Sequence, residues 1–364
     1  MLHVIIRVDA STIIGSGHLM RCLTLAQRLR RMGHDVCFFM RAHEGSMEAV
    51  VVRQGFSYRM LPTPTHYAGA GYASWLGVKQ FEDAADTIAV MGEKGCDLLV
   101  VDHYALDHTW EEALRPHVKR IFVIDDLADR VHHCDFLLDA NLGAERDGKY
   151  AGLLPADCRA FLGISYLLLR QEFYDARHVV EVESESSSSD MTVFVCFGGS
   201  DPTNETLRAL RILASLPQRF NVHVVVGASN PHRGEVEAFC KMHRWHVYCQ
   251  IDYVARLMCA SDCAIGAGGT MTWERCYLGL PSLVVAVAEN QREDAVLHDS
   301  MGIIVYAGYF EDITDEEYAK KIVSFLLDEP RRMAVRTAGK SIFGKEQVEM
   351  MLREVTASAE TWKI

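Results

Sequence analysis

In the stretch 13–26, IIGSGHLMRCLTLA, a histidine stands where chemistry is easy to arrange. An apolar run, His3–Val8, predicts a first strand, and Asp9 ends it. Gly15 and Gly17 have no Cβ, so the backbone can turn tightly and approach a ligand closely. Leu19, Cys22, Leu23, Ala26 and Leu29 recur at helical spacing, which starts a helix near His18. His18 therefore sits at a strand–glycine loop–helix junction, where free N–H groups welcome anions and where α/β sheets bind their ligands. An imidazole there can act as a general base near neutral pH. Arg7, Asp9, Ser11 and Arg21 bring polar groups to the same turn. Asp9, Asp102 and Asp126 are each candidates to orient the ring, although each could equally cap a turn.

A second set of candidates lies in the other half of the chain. GGSD at 198–201 and GAGGT at 266–270 each follow an apolar run and precede a helical pattern. Two such turns suit a nucleoside diphosphate, with the helix near Thr270 offering its dipole and N–H groups to phosphate. Glu274, one turn further on, can accept both hydroxyls of a ribose. Other chemistries find no support. Met20 occupies the third glycine position of a dinucleotide fingerprint, and no G-K-[ST] follows the glycine turns. There is no G-x-S-x-G elbow, and no histidine spacing suits a metal, so neither a metal nor another cofactor is expected.

The elements that must carry these residues alternate. Strands are expected at 1–9, 34–40, 57–61, 96–102, 120–125 and 135–139, with helices at 18–33, 47–54, 78–94 and 107–115, and a long loop at 62–77 rich in Pro, Gly and aromatics. After the acidic, serine-rich segment EVESESSSSD (181–190) the alternation resumes. Strands are expected at 191–197, 220–227, 246–249, 263–265, 283–287 and 303–305. Helices are expected at 203–215, 252–261, from Thr270, and at 291–302, 314–327, 330–343 and 345–356. Cys259 and Cys263, four apart, read as one buried helix face. The fold class is thus α/β, with two open Rossmann-like domains facing a cleft. The expected division is 1–180, a linker at 181–190, 191–343, and a C-terminal helix and tail at 344–364.

Composition narrows the function. The chain has 364 residues, more than one ordinary core, and 49% hydrophobic residues supply two. A formal net charge of −12 argues against a nucleic-acid partner. No apolar run reaches the roughly 18 residues that span a bilayer, and no signal-peptide pattern is read. Eleven cysteines without a C-x-x-C pair fit reduced thiols, so the expectation is a cytoplasmic monomer without membrane insertion.

These motifs resemble a known family. The run Arg7-x-Asp9-Ala-Ser through I-G-x-G-H-x-x-R-C-L-x-L-A, then VIDDL at 123–127, LLDANLG at 137–143, FGGSDPxN at 197–204, GAGGTxTWER at 266–275 and ENQ at 289–291 are similar to the UDP-2,4-diacetamido-2,4,6-trideoxy-β-L-altropyranose hydrolases of pseudaminic acid biosynthesis. Spore-coat polysaccharide proteins are related to them. The resemblance spans about residues 1–305; the serine-rich insertion at 184–189 and the longer C-terminal tail depart from it. It implies the glycosyltransferase-B fold and a reaction in which water attacks the anomeric carbon with inversion and UDP leaves. His18 would be the catalytic base. Gly17, Arg21, Asp9, Asp126, Asn141, Arg170, Asn290 and Gln291 would bind the sugar substrate. Gly199, Ser200, Asp201, Asn204, Gly268, Gly269, Thr270 and Glu274 would bind UDP. The alternative is a glycosyltransferase that uses a UDP-sugar donor in surface polysaccharide synthesis.

Overall fold

The computed structural model describes residues 1–64, 69–146, 148–180, 190–344 and 347–357, with the backbone alone at 178–180 and 290. The chain divides into two compact units, Met1–Leu168 with the C-terminal stretch from Gly344 onward, and Leu169–Phe343. The first thus ends before the expected 180, and helix Gln171–Val180 belongs to the second. Most of the serine-rich linker, 181–189, and the tail beyond 357 lie outside the described residues.

The first unit is built on seven strands: β1 (His3–Val8), β2 (Asp35–Arg41), β3 (Ser57–Leu61), β4 (Leu98–Asp102), β5 (Ile121–Ile124), β6 (Phe136–Asp139) and β7 (Arg159–Leu162). All neighbours are parallel, in the order β3-β2-β1-β4-β5-β6-β7. A parallel sheet is covered on both faces, which explains the almost unbroken apolar runs. Val4, Ile6 and Val8 face one core, shared with helix Gly17–Arg31 and with Val348, Met351, Leu352 and Val355 of the C-terminal helix Val348–Thr356. Ile5, Leu99 and Val101 face the other, against Trp110 and Leu114 of helix His108–Leu114.

The second unit repeats the plan with six parallel strands: β8 (Met191–Cys196), β9 (Phe220–Val226), β10 (His246–Cys249), β11 (Cys263–Ala267), β12 (Ser282–Ala286) and β13 (Val305–Tyr309). Their order is β10-β9-β8-β11-β12-β13. Each sheet reverses its winding once, between β1 and β4 in the first unit and between β8 and β11 in the second. The loops after those strands diverge, opening a crevice at the strands' carboxyl ends.

Several elements differ from expectation. The loop at 62–77 contains a short helix, Ala73–Leu76. Strand β7 was not anticipated, because its four residues RAFL carry too little pattern. Neither was helix Arg233–His243, whose buried face is only Val236 and Cys240. Cys259 closes helix Val254–Cys259 and Cys263 opens β11, so the pair does not share a helix face.

Candidate functional site

The first unit's reversal point carries the charged groups. After β1, the Ser11 hydroxyl accepts hydrogen bonds from the N–H groups of Ile13 and Ile14, and Gly15 (φ +80°) closes the turn onto the Ser11 carbonyl. Helix Gly17–Arg31 starts there. His18, Arg21 and Cys22 stand at i, i+3 and i+4, hence on one helix face, and all three reach Asp102 at the end of β4. Val8 and Asp102 are register partners, which brings the helix start beside that carboxylate.

The geometry at His18 fixes its tautomer. Nδ1 lies 2.6 Å from Asp102 Oδ1, so Nδ1–H donates to the carboxylate, and in the neutral ring the lone pair is then on Nε2. Arg21 Nη2, 3.2 Å from Nδ1, is a second donor and offers it no acceptor. Arg21 itself grips Asp102 in a fork, Nε to Oδ2 at 2.6 Å and Nη2 to Oδ1 at 2.7 Å, and extends Nη1 to Asp126 Oδ2 at 2.9 Å. Asp102 has no exposed side-chain surface. Burial would raise its pKa, but Arg21 and then His18 hold it well below the usual carboxylate range. It therefore stays ionised. Tyr104 donates to Asp126 Oδ1 at 2.6 Å and packs its ring 4.5 Å from the His18 ring. Burial and Asp126 raise the Tyr104 pKa, so it remains a phenol donor.

Of the three aspartates that could orient His18, Asp102 does so. Asp9 takes a different role from the expected one. Its side chain is buried and accepts from Arg7 Nη1 (2.5 Å), Arg7 Nη2 (2.9 Å) and the Arg41 N–H (2.7 Å), within a network completed by Asp83. A carboxylate so enclosed braces the loop and has no lone pair facing solvent. Asp126 and Arg21 join the His18 cluster, Gly17 opens its helix, and Asn141 follows β6, its N–H bonded to Asp139 Oδ1. Asp139 also accepts from Lys149 Nζ at 2.5 Å. The run Asp102-His103-Tyr104 marks polar groups at the end of a strand, but neither Tyr104 nor Lys149 is among the expected site residues. Tyr104 lies two residues past a candidate aspartate, which is a usable signal; Lys149 has none.

The second unit's reversal point is made of backbone. Gly198 (φ +91°) and Gly199 follow β8; Gly268 and Gly269 (φ +86°) follow β11. The backbone packs tightly beside these turns: a Cβ on Gly266, within β11, would meet the Cys196 carbonyl at 2.3 Å, and one on Gly227, after β9, the Gly199 carbonyl at 2.1 Å. Helix Thr270–Leu278 starts at Thr270 as expected, with Gly269 as its N-cap, and no side chain caps it. Arg275, in that helix, is 1% exposed, donates to the Ala267 carbonyl at 2.8 Å, and makes no ion pair among the described residues. A positive charge therefore sits buried near a turn whose helix dipole is also positive. Gln291 backs the turn: its Oε1 accepts from the Val287 N–H at 3.1 Å and lies where a Gly268 Cβ would be crowded. The Asn290 side chain lies outside the described residues.

Glu274 is 9% exposed; Arg170 binds its Oε1 from Nε and Nη2, both at 3.1 Å, while Oε2 has no hydrogen-bond partner among the described residues. Arg170 is held in turn by Glu172 at 2.6 Å, so it serves Glu274 directly. A buried carboxylate oxygen without a donor is costly unless a ligand supplies one. Asp201 departs from expectation. Its oxygens accept from the N–H groups of Glu205 (3.0 Å) and Thr206 (2.9 Å), capping helix Glu205–Ser215, and it is 2% exposed. Asn204 is left-handed (φ +59°) in that cap, so these two shape the turn, while Gly199 and Ser200 line it. Among the described residues no His, Cys, Asp and Glu cluster could hold a metal ion, and no helix is long and apolar enough to cross a membrane.

No family model matches the chain. Curated relatives do. One is the UDP-2,4-diacetamido-2,4,6-trideoxy-beta-L-altropyranose hydrolase of Campylobacter jejuni, 28% identical over 297 residues, 81% of this chain and 95% of that protein. Another is the spore coat polysaccharide biosynthesis protein SpsG of Bacillus subtilis, 25% identical over 215 residues, 58% of this chain and 61% of that one. Among solved structures, spinosyn rhamnosyltransferase SpnG superposes with a TM-score of 0.70 at 15% identity, covering 97% of this chain and 99% of that chain. The chain thus has the glycosyltransferase-B fold and resembles, in sequence, the UDP-diacetamido-trideoxy-altropyranose hydrolases.

Proposed function

We propose that this protein hydrolyses a UDP-activated 2,4-diacetamido-2,4,6-trideoxy sugar to the free sugar and UDP, in nonulosonic acid biosynthesis of the pseudaminic type. The observation that carries the reading is the His18–Asp102 pair, 2.6 Å apart, with Nε2 free to take a proton. Water, deprotonated by Nε2, attacks the anomeric carbon from the face opposite UDP. The C–O bond to the β-phosphate breaks, the electron pair leaves with UDP, and the configuration inverts. Asp102, kept ionised by Arg21, stabilises the imidazolium that forms. The glycine turns after β8 and β11, the start of helix Thr270–Leu278 and Arg275 meet the growing diphosphate charge, and Glu274 Oε2 accepts from the ribose. None of these roles uses a metal, so activity in EDTA is expected. Asp9 and Asp201 are left out of the ligand contacts because their oxygens are already engaged.

The test is UDP release from the diacetamido-trideoxy sugar nucleotide with no acceptor present, followed by NMR of the first-formed anomer. Release with inversion supports the reading. UDP that appears only when an acceptor alcohol is added favours a glycosyltransferase instead.

A further inference from the structure

The aromatic residues of 69–77 have no part in the chemistry above, yet they stand beside it. Tyr72 is the N-cap of the short helix Ala73–Leu76, and Trp75 lies within it. The Trp75 ring meets the His18 ring edge-on, 81° between planes at 6.0 Å, and the Tyr104 ring does the same on its own side, 83° at 4.5 Å. Trp75 and Tyr104 lie within 26° of parallel, 5.8 Å apart. Tyr72 closes the group, 4.8 Å from Trp75 and 4.9 Å from Tyr104. The imidazole is therefore bordered by one continuous aromatic surface.

These rings are not core filler. Leu76 beside them is 1% exposed and packs in the sheet's core, whereas Tyr72 and Trp75 are only half-buried. Leu76 and Gly77 tie the segment down: a Cβ on Gly77 would lie 2.5 Å from Pro64 Cβ. Tyr104 is already committed, its hydroxyl to Asp126 and its ring to Trp75, with the Arg130 guanidinium 5.8 Å from the ring centre. The open aromatic surface next to the base belongs to Tyr72 and Trp75.

We propose that Tyr72 and Trp75 form an apolar platform that selects sugars carrying methyl groups in place of hydroxyls, that is, deoxygenated and N-acetylated hexoses, over fully hydroxylated ones. This rests on the reading of His18 as the base for attack on a sugar, because that reading puts the sugar ring beside the imidazole. A hydroxyl against an aromatic face loses its water without gaining a partner, whereas a C6 methyl or an acetamido methyl loses nothing. A 2,4-diacetamido-2,4,6-trideoxy sugar offers three such methyls. Apolar pockets discriminate by roughly 10- to 200-fold in kcat/KM per methyl-sized group.

The experiment compares wild type, Trp75→Ala, Trp75→Phe and Tyr72→Ala. The first readout is saturation-transfer NMR with the free 2,4-diacetamido-2,4,6-trideoxy hexose and with N-acetylglucosamine, which needs no turnover. The expected result is strong saturation of the methyl protons in wild type and in Trp75→Phe, and its loss in Trp75→Ala. The second readout is the ratio of kcat/KM for the two UDP-sugars. It should fall about 10-fold or more in Trp75→Ala, less in Tyr72→Ala, with UDP affinity unchanged. A general structural defect would lower both donors together and leave the ratio alone. Methyl saturation and ratio both unaltered in the two alanine variants would overturn the proposal. Methyl saturation in a wild type that releases no UDP would contradict the hydrolase reading and leave the platform standing.

Discussion

The two sheets reverse their winding at equivalent places, between β1 and β4 and between β8 and β11, and fill those places in opposite ways. The first is dense with side chains: His18, Arg21, Asp102, Tyr104 and Asp126 form one hydrogen-bonded chain. The second is bare backbone, four glycines and an uncapped helix start, with its charged groups held behind at Arg275 and Glu274. A group that moves a proton must be a side chain, and it must be oriented. A diphosphate needs many weak donors at short range, and side chains would be in the way. The same crevice thus suits either task, and the residue types decide which.

Substitutions should separate the two regions. His18→Asn should lower kcat by roughly 10²–10⁴, the usual range for a general base, with UDP affinity within about twofold by calorimetry. If kcat is nearly normal, the first region is not catalytic. Asp9→Ala should act on stability, because it removes one of the two carboxylates that pair with the buried Arg7 guanidinium and leaves Asp83 alone to do so. Chemical denaturation should register a loss of about 3–5 kcal/mol, the cost of breaking a buried ion pair. A stable variant with raised KM would restore Asp9 as a sugar ligand.

Asp102→Asn keeps the shape but removes the charge that stabilises the imidazolium and fixes its tautomer. A fall in kcat of about 10²-fold, with KM little changed, is expected from steady-state kinetics. In the second region, Glu274→Ala should weaken UDP binding by about 1.5–3 kcal/mol, the worth of a charged hydrogen bond, and affect kcat less. Unchanged UDP affinity would remove Glu274 from the nucleotide site.

The smallest expected effect concerns pH, and its sign differs between the units. His132, in the first, loses by burial but gains more from the nearby Asp125 carboxylate, 3.8 Å away, and from its hydrogen bond to Glu111, which push its pKa up to about 9. A raised folded pKa stabilises fully below the unfolded value of about 6.5, and that stability is lost as pH rises through about 9. His298, in the second, is pushed down to about 4 by burial against Trp273. Its contribution is present above about 6.5 and is lost as pH falls through about 4. Hydrogen exchange at pH 4.5 and pH 9 should show the second unit loosening first in acid and the first unit in alkali. Loosening of both at one edge would refute this.

Much of this was legible in the sequence because period and glycine placement are local. Apolar runs such as CDLLVVD and MTVFVCF announce strands buried on both faces, and GSGH and GAGGT announce the turns after them. What stayed hidden is set by three-dimensional neighbours. Asp9, Asp102 and Asp126 look alike in the sequence, each at the end of a strand. Only the placement of Arg7 beside Asp9, and of the His18 helix beside Asp102, separates a brace from a partner. Asp201 likewise reads as a ligand in GGSD until the helix that it caps is seen. The aromatic loop at 62–77 gave composition but no contacts, so the position of Trp75 against His18 could not be foreseen.

The most direct test of the central claim is hydrolysis of the UDP-diacetamido-trideoxy sugar in H₂¹⁸O without acceptor, with both products weighed by mass spectrometry. Attack of a His18-activated water at the anomeric carbon predicts ¹⁸O in the sugar, none in UDP, and loss of the signal in His18→Asn. Label in UDP would mean attack at phosphorus, and no release at all without an acceptor would mean that water is not the nucleophile; either result contradicts the account.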